Sequence, residues 1–266
     1  MIIVNGLKIY SDIDPVLISF GSIKIHYYSF AYIFGLLIIP YYVNRDYLKS
    51  KELTDKFSTY IVLCVILCAR LFYVLFYNFS YYINNSLLDI FKTWEGGMSF
   101  HGGLIGFILG VYLFSKKYDK RFFAITDICA VITPLCLGIG RIMNFINGEL
   151  YGRPTDQTWG VMFSTDNTML LRHPSQLYQS FFEGFILFFI MLYLKKQTNL
   201  GKKEGYLSLI FVSLYAIFRF FIEFFRNPDE QLGLFFNLLT MGQVLCIAMI
   251  LFISSYLTFT KIIKKT

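Results

Sequence analysis

Charge is what this chain has least of. Only 15% of its 266 residues are Asp, Glu, Lys or Arg, whereas soluble domains carry about 25%. Its 56% hydrophobic content, 20% aromatic content and mean hydropathy of +0.57 point to a protein integral to a membrane. Paired cysteines are also missing. Cys64, Cys68, Cys129, Cys136 and Cys246 lie in or beside apolar segments and form no Cys-x-x-Cys pair. That pattern excludes a disulfide framework and a zinc site, and the five read as small buried hydrophobes. No basic face interleaved with aromatics is present: the formal charge of +7 is spread in short Lys/Arg clusters between apolar runs. Nucleic acid is therefore not an expected partner. The first fifteen residues contain Asp12 and Asp14 and no long apolar core, so no signal peptide is expected. No internal repeat, low-complexity tract or separate soluble domain is visible.

What is present is a series of apolar stretches long enough to cross a bilayer, for which about 20 residues suffice. They fall near Ile23 to Asn44, Lys56 to Tyr77, Gly97 to Leu113, Phe122 to Met143, Ser175 to Leu194, Gly205 to Phe225 and Leu239 to Thr260. The expected fold is all-α, a single polytopic membrane domain over residues 1–266 with seven transmembrane helices. A loop at about 145–174 is too short to fold as an ordinary domain.

Orientation follows from the asymmetry of basic residues. One side would hold Arg45, Lys49, Lys51 and Lys56, then Lys116, Lys117, Lys120 and Arg121, then Lys195, Lys196, Lys202 and Lys203, and finally Lys261, Lys264 and Lys265. The other holds Lys8, Lys24, Lys92, Arg153, Arg172 and Arg226, so the count is fifteen against six. The amino terminus is expected outside, the carboxyl terminus in the cytoplasm, and the 145–174 loop on the outer face.

Three arginines, Arg70, Arg141 and Arg219, remain inside expected spans, each near an outer end; Arg219 lies roughly 9 Å deep at 1.5 Å per residue. Tyr28, His101 and Glu183 fall in outer halves too, with Asp127 the exception near a cytoplasmic end. An ionisable side chain in the bilayer costs a few kcal/mol or more unless it is paired or lines a polar cavity. Something anionic is expected where the arginines gather.

The densest polar stretch is Gly140-Arg-Ile-Met-Asn-Phe-Ile-Asn-Gly-Glu-Leu-Tyr-Gly152. Arg141 offers a planar, permanently charged fork for a phosphate, against the alternative of snorkelling from a helix end. Asn144 shares its helix face at i+3, with Asn147 close by. Glu149 would orient the guanidinium, bind a substrate hydroxyl, or be a plain loop carboxylate. Gly148 and Gly152 suggest turns with unusual backbone angles.

His101, flanked by Gly96, Gly97, Gly102 and Gly103, is either a base near neutral pH or a hydrogen-bonded structural residue among packing glycines. Tyr215, Arg219, Glu223 and Arg226, spaced by four, four and three, form one polar stripe on an aromatic helix. Glu223 would pair with Arg219 or Arg226, leaving one arginine in excess. Pro174 and Ser175 provide helix-start chemistry. Glu183 needs a partner, for which Arg70 is a candidate, and His26, Tyr27 and Tyr28 also read as an interfacial aromatic belt.

Together these residues resemble the phosphatidylglycerol–prolipoprotein diacylglyceryl transferase family over nearly the whole chain. The resemblance runs through Asp14, His26-Tyr27-Tyr28, Arg70 to Asn78, the glycine-flanked His101, Gly140 to Gly152, Arg172 to Tyr178, Arg219 to Asp229 and Met241-Gly242-Gln243. Met143 departs from it, standing where the family usually has glycine or alanine. That change is expected to narrow the cavity or rotate Asn144. Ser29, where glycine is frequent, is a milder departure.

The resemblance implies a bacterial inner-membrane enzyme working toward the outer leaflet without metal or cofactor. It would move the diacylglyceryl group of phosphatidylglycerol onto the lipobox cysteine of preprolipoproteins and release glycerol 1-phosphate. Arg141 and Arg219 would hold the phosphate. His101 or an arginine-centred network would help remove the thiol proton. Tyr28, Asn144, Asn147, Glu149, Tyr215, Glu223 and Arg226 would be head-group and network contacts. Another phospholipid head-group transferase would use the same anionic donor. A seven-span transporter of an anionic solute would instead need polar residues through the full bilayer depth, and the inner half offers only Asp127.

Overall fold

A computed structural model describes residues 2–3, 8–11, 16–20, 23–76, 79–84, 87–92, 97–228, 234–235 and 238–263. Asp12, Asp14, Asn78, Gly96, Asp229, Lys264 and Lys265 lie outside these residues. The described chain is mostly helical. Its long helices are α1 (Tyr27–Val43), α2 (Lys51–Phe76), α4 (Phe100–Lys117), α5 (Phe122–Ile146), α8 (Tyr206–Ile222) and α9 (Met241–Ile263). The helix at Ser175–Gln197 is continuous but changes winding: α6 (Ser175–Gln179), a π-helical turn (Ser180–Ile186) and α7 (Leu187–Gln197). A short α3 (Phe79–Asn84) follows α2. These seven long helices fall on the seven apolar stretches. Three of them, Lys51–Phe76, Phe122–Ile146 and Ser175–Gln197, are long and apolar enough to cross a membrane.

The all-α expectation needs one correction. Short strands β1 (Ile2–Ile3), β2 (Lys8–Ser11), β3 (Val16–Phe20), β4 (Ile23–His26), β5 (Val161–Phe163), β6 (Leu234–Phe235) and β7 (Leu239–Thr240) form three small sheets. The first helix therefore begins at Tyr27 rather than Ile23. Alternating β-branched residues in Ile-Lys-Ile-His fit a hairpin with β3 better than a helix.

Burial is inverted relative to a soluble protein. Gln176 and Gln179 are 0% exposed and Glu183 and Glu223 1%, whereas Leu37 is 69% exposed, Phe76 72% and Phe252 73%. Large apolar side chains turned outward while amides and carboxylates are buried are what a lipid solvent selects.

The chain divides into two compact units, Leu36–Cys129 and Met1–Gly35 with Ala130–Thr266. In the first, Val43, Phe57, Ile61, Val111, Phe114 and Ile125 form the core, with Phe57 and Phe114 edge-to-face at 5.2 Å. Ser50 accepts from the Leu53 N–H and Ser99 from the Gly102 N–H, capping α2 and α4. These two helices touch through backbone: a Cβ at Gly102, Gly106 or Gly110 would press on the carbonyls of Cys68, Cys64 and Tyr60. Small residues at that spacing allow close helix approach in lipid. Arg70 is structural here. It donates to the carbonyls of Asp89 (2.7 Å), Ile90 (2.7 Å), Gly97 (3.0 Å) and Lys92 (3.3 Å), tying the following segment to α2.

In the second unit, β2 pairs in parallel with β5, Ile9 opposite Val161 and Ser11 opposite Phe163. Helix α5 and the π-helical turn meet at Gly138 and Gly184, where a Cβ on Gly184 would overlap Gly138 and one on Gly138 would be tight at 3.1 Å, and Ser180 Oγ donates to the Gly138 carbonyl at 2.8 Å. Residues 147–174, expected only as a loop, are held by a buried ion pair. Arg172 Nε donates to Asp166 Oδ2 at 2.7 Å, Arg172 Nη2 to Thr168 Oγ1 at 3.0 Å, and the guanidinium lies 5.0 Å over Tyr151. Phe163, fully buried, stacks on Tyr151 at 5.3 Å. Burial alone would push the Asp166 carboxyl up, but bonds from Arg172 and Thr168 outweigh it and hold the group below the ordinary 3.8.

Two outcomes follow from this packing. Gly106→Val should destabilise the α2–α4 contact by about 1–3 kcal/mol, read as a lower Tm in detergent. Gly103→Ala, whose Cβ would find its nearest neighbours at 3.9 Å, should leave Tm unchanged. A carboxyl with a depressed folded-state value contributes stability above its unfolded value and loses it as pH falls through the folded value. Proteolytic cutting within 147–174 should therefore accelerate below about pH 4. Asp166→Asn, leaving Arg172 buried without its ion partner, should cost about 3 kcal/mol at neutral pH.

Candidate functional site

The last turns of α5 aim Arg141 and Asn144 along one helix edge. Arg141 Nη1 donates to Asn144 Oδ1 at 3.3 Å, and Asn144 Nδ2 donates to Glu149 Oε1 at 2.8 Å. Asn147 Nδ2 reaches the same oxygen at 3.3 Å. Glu149 thus orients Arg141 through Asn144 rather than directly. Its chain position comes from a tight turn in which Gly148 has φ +66° and the Glu149 N–H bonds the Asn144 carbonyl at 3.0 Å. Met143 is half-buried, and Asn144 is 4% exposed, held by Arg141 on its Oδ1 and by Glu149 on its Nδ2.

A second constellation is built by the π-helical turn, α8 and the start of α9. Arg219 Nη2 lies 2.9 Å from Glu223 Oε2, and its Nη1 lies 3.7 Å from Glu183 Oε1. Glu223 Oε1 accepts from Thr240 Oγ1 at 3.1 Å and from Arg226 Nη1 at 3.4 Å. Gly242 makes room, because a Cβ there would sit 2.9 Å from the Glu223 carboxylate. Thr240 and Gln243 cap α9 reciprocally: the Thr240 N–H bonds Gln243 Oε1 at 3.1 Å and the Gln243 N–H bonds Thr240 Oγ1 at 3.2 Å. Glu223 therefore pairs with both arginines offered to it. Arg219, Arg141 and Arg226 all lie within electrostatic reach of Glu183, and Tyr215 within reach of Glu183, Arg219 and Arg141. The structure joins the Gly140–Gly152 signature to the α8 stripe.

The loop after α5 is fastened to the end of α8. The Gly152 N–H bonds the His173 carbonyl at 2.9 Å, the Arg153 N–H bonds the Phe225 carbonyl at 2.9 Å, and Arg153 Nε bonds the Arg226 carbonyl at 3.0 Å. Gly152 is needed for this approach, since a Cβ would overlap the Phe225 and His173 carbonyls, and not for an unusual φ. His173 shares Tyr178 Oη with the indole of Trp159 (3.3 and 3.0 Å). Burial pushes the His173 imidazole down, with Asp156 partly opposing.

Four buried polar residues escaped the sequence reading of the site: Gln176, Gln179, Thr240 and Gln243. Gln176 Nε2 donates to the Glu149 carbonyl at 2.8 Å, which links α6 to the signature loop. Among the described residues, Gln179 Nε2 and Oε1, Gln176 Oε1, Gln243 Nε2, Asn147 Oδ1, Glu183 Oε1 and Arg219 Nη1 make no hydrogen bond within the protein. Polar atoms left unspent in one buried region favour a polar ligand there.

His101 belongs to the other unit, in the first turn of α4 with an exposed side chain. Beside it, Gly102 makes the close contact with α2. Tyr28 lies in the first turn of α1, and its side chain is outside the described part.

The charges sum simply. Three guanidiniums, Arg141, Arg219 and Arg226, surround two buried carboxylates, Glu183 and Glu223, and leave one positive charge over. Glu149 is exposed, so its charge is largely screened by solvent. A partly buried array of planar forks with one net positive charge suits a phosphate monoanion, and partial removal from water strengthens the attraction.

The chain's similarities agree with this chemistry. A family model described as prolipoprotein diacylglyceryl transferase matches residues 15–259. Proteins named phosphatidylglycerol–prolipoprotein diacylglyceryl transferase are similar to it. The one from Rickettsia felis is 46% identical over 253 residues, covering 93% of this chain and 96% of that protein. Those from Rickettsia rickettsii (strain Sheila Smith; 47% over 253 residues, 93% and 96%) and Rickettsia bellii (strain OSU 85-389; 44% over 247 residues, 91% and 93%) are comparable. With the family model matching residues 15–259 and these relatives matching almost end to end, the chain belongs to the prolipoprotein diacylglyceryl transferase family.

Proposed function

We propose that this protein transfers the diacylglyceryl group of phosphatidylglycerol to the lipobox cysteine thiol of preprolipoproteins. The observation that carries the reading is the single uncompensated positive charge of the Arg141, Arg219, Arg226, Glu183 and Glu223 set. The names of the relatives supply the donor and the acceptor class. The seven apolar helices are taken as seven crossings, amino terminus outside and carboxyl terminus cytoplasmic. The arginine cluster then faces the outer leaflet of a bacterial inner membrane, as the distribution of basic residues supports.

In the step proposed, the cysteine sulfur attacks the glyceryl carbon that bears the phosphate ester. The carbon–sulfur bond forms as the carbon–oxygen bond breaks, giving a thioether, and glycerol 1-phosphate leaves with the electron pair. Arg141 and Arg219 hold the phosphate and stabilise charge gathering on the leaving oxygen, a term often the largest in catalysis. Glu223, held by Arg219, Arg226 and Thr240, fixes the forks. Asn144, Asn147 and Glu149 orient Arg141, and Tyr28 and Tyr215 complete the head-group contacts. The thiol proton passes to His101, which enters on the family resemblance, or to the arginine-centred network.

The decisive experiment incubates the purified protein in phosphatidylglycerol-containing micelles with a lipobox peptide, followed by mass spectrometry. A diacylglyceryl adduct that requires both the cysteine and phosphatidylglycerol is expected; its absence from folded protein, beside a competent control enzyme, would sink the proposal. Arg141→Ala should lower adduct formation by at least about 100-fold while the protein stays in the membrane. His101→Asn separates the two proton routes: a comparable loss assigns the proton to His101, near-normal turnover assigns it to the network.

A further inference from the structure

Gln179 is fully buried, and neither its Nε2 nor its Oε1 has a hydrogen-bond partner among the described residues. Leaving both halves of a primary amide unpaired away from water is unfavourable, so a native amide in that state calls for a partner from outside the chain. Its neighbours say where that partner lies. Gln176, three residues earlier and equally buried, bonds the Glu149 carbonyl at 2.8 Å. Glu183, four residues later and 1% exposed, sits 3.7 Å from Arg219. Residues at these spacings line one helix face. Gln179 therefore stands between the signature loop and the arginine cluster.

The chemistry of the amide narrows the partner. A phosphate oxygen only accepts and would leave Oε1 unspent, and so would the ester carbonyls of the diacylglyceryl group. An alkyl hydroxyl both donates and accepts, and it engages both halves of a primary amide at once. Phosphatidylglycerol carries such hydroxyls on the glycerol beyond its phosphate. Resting on the function proposed above, we infer that Gln179 recognises a head-group glycerol hydroxyl of the donor lipid and sets the preference for phosphatidylglycerol over phospholipids lacking it. The residue touches the leaving group and selects it; it moves no proton.

The test compares two donors, phosphatidylglycerol and phosphatidylpropanol, which keeps the phosphodiester and a three-carbon head but has no hydroxyl. Buried polar groups built for a hydroxyl reject the analogue that lacks it. The unmodified protein should therefore favour phosphatidylglycerol by at least about 30-fold in kcat/KM, judged from that behaviour. Gln179→Met, similar in size and without the amide, should collapse the preference to within about threefold by lowering the phosphatidylglycerol value. Gln179→Glu, which keeps an acceptor and loses the donor, should fall between. Folding of each variant is checked by its melting curve. Adduct formation with equal use of the two lipids by the unmodified protein overturns the assignment whatever the variants do, and leaves the transferase reading standing. A folded Gln179→Met that keeps the full preference, or whose defect lies only in the KM for the peptide, also overturns it. No adduct from phosphatidylglycerol with the unmodified protein removes the transferase reading and this assignment with it.

Discussion

Guanidinium and carboxylate groups taken out of water must find each other, and the second unit is organised by that demand. Arg219 reaches Glu223 and Glu183, Glu223 also takes Arg226 and Thr240, and the loop carrying Glu149 is stitched to the end of the same helix. Buried ion pairs are weak evidence for stability, since desolvation offsets much of their attraction. Here the arrangement stops short of saturation: Arg219 Nη1 and Glu183 Oε1 stand too far apart to bond and have no other hydrogen-bond partner among the described residues. A fully satisfied network would be rigid and closed to ligands. One that keeps donors unspent is organised for an incoming anion.

The surrounding helices are spaced by what is missing from them. Gly102, Gly106 and Gly110 bring α4 against the backbone of α2, and Gly138 with Gly184 does the same for α5 and the π-helical turn. Lipid tails give apolar side chains no reason to prefer one another, so close backbone approach carries the association. At Gly138 and Gly184 that approach also positions Glu183, the residue just before Gly184.

The sequence showed the charged part of the site because lipid makes charge conspicuous. Arg141, Asn144, Asn147 and Glu149 stood out in an apolar run, and the 219–223–226 spacing announced one helix edge; both are joined in the fold. Neutral amides send no such signal. Gln179 carried no mark at all, and Gln176 and Gln243 stood only within stretches that bear the family resemblance, with no role assigned until packing buries them. The carbonyls that Arg70 binds were equally silent, because a backbone acceptor leaves no mark in the sequence. The β3–β4 hairpin was hidden because Ile-Lys-Ile-His runs straight into an apolar helix. Asp166 and Arg172, six residues apart in irregular chain, follow no periodicity from which a pairing is read.

The π-helical turn at Ser180–Ile186 affects the geometry along its whole helix. The buried positions Gln179, Glu183, Leu187 and Met191 recur every four residues, and in a plain α-helix such a stripe drifts about 40° per step because a turn takes 3.6 residues. A locally wider winding takes part of that drift back. The turn acts as a vernier inserted between the polar half of the stripe and its apolar half. Wound as plain α-helix throughout, the stripe would drift the full ~40° at each step and carry Leu187 and Met191 away from the line of Gln179, so the wider turn keeps the two halves in register.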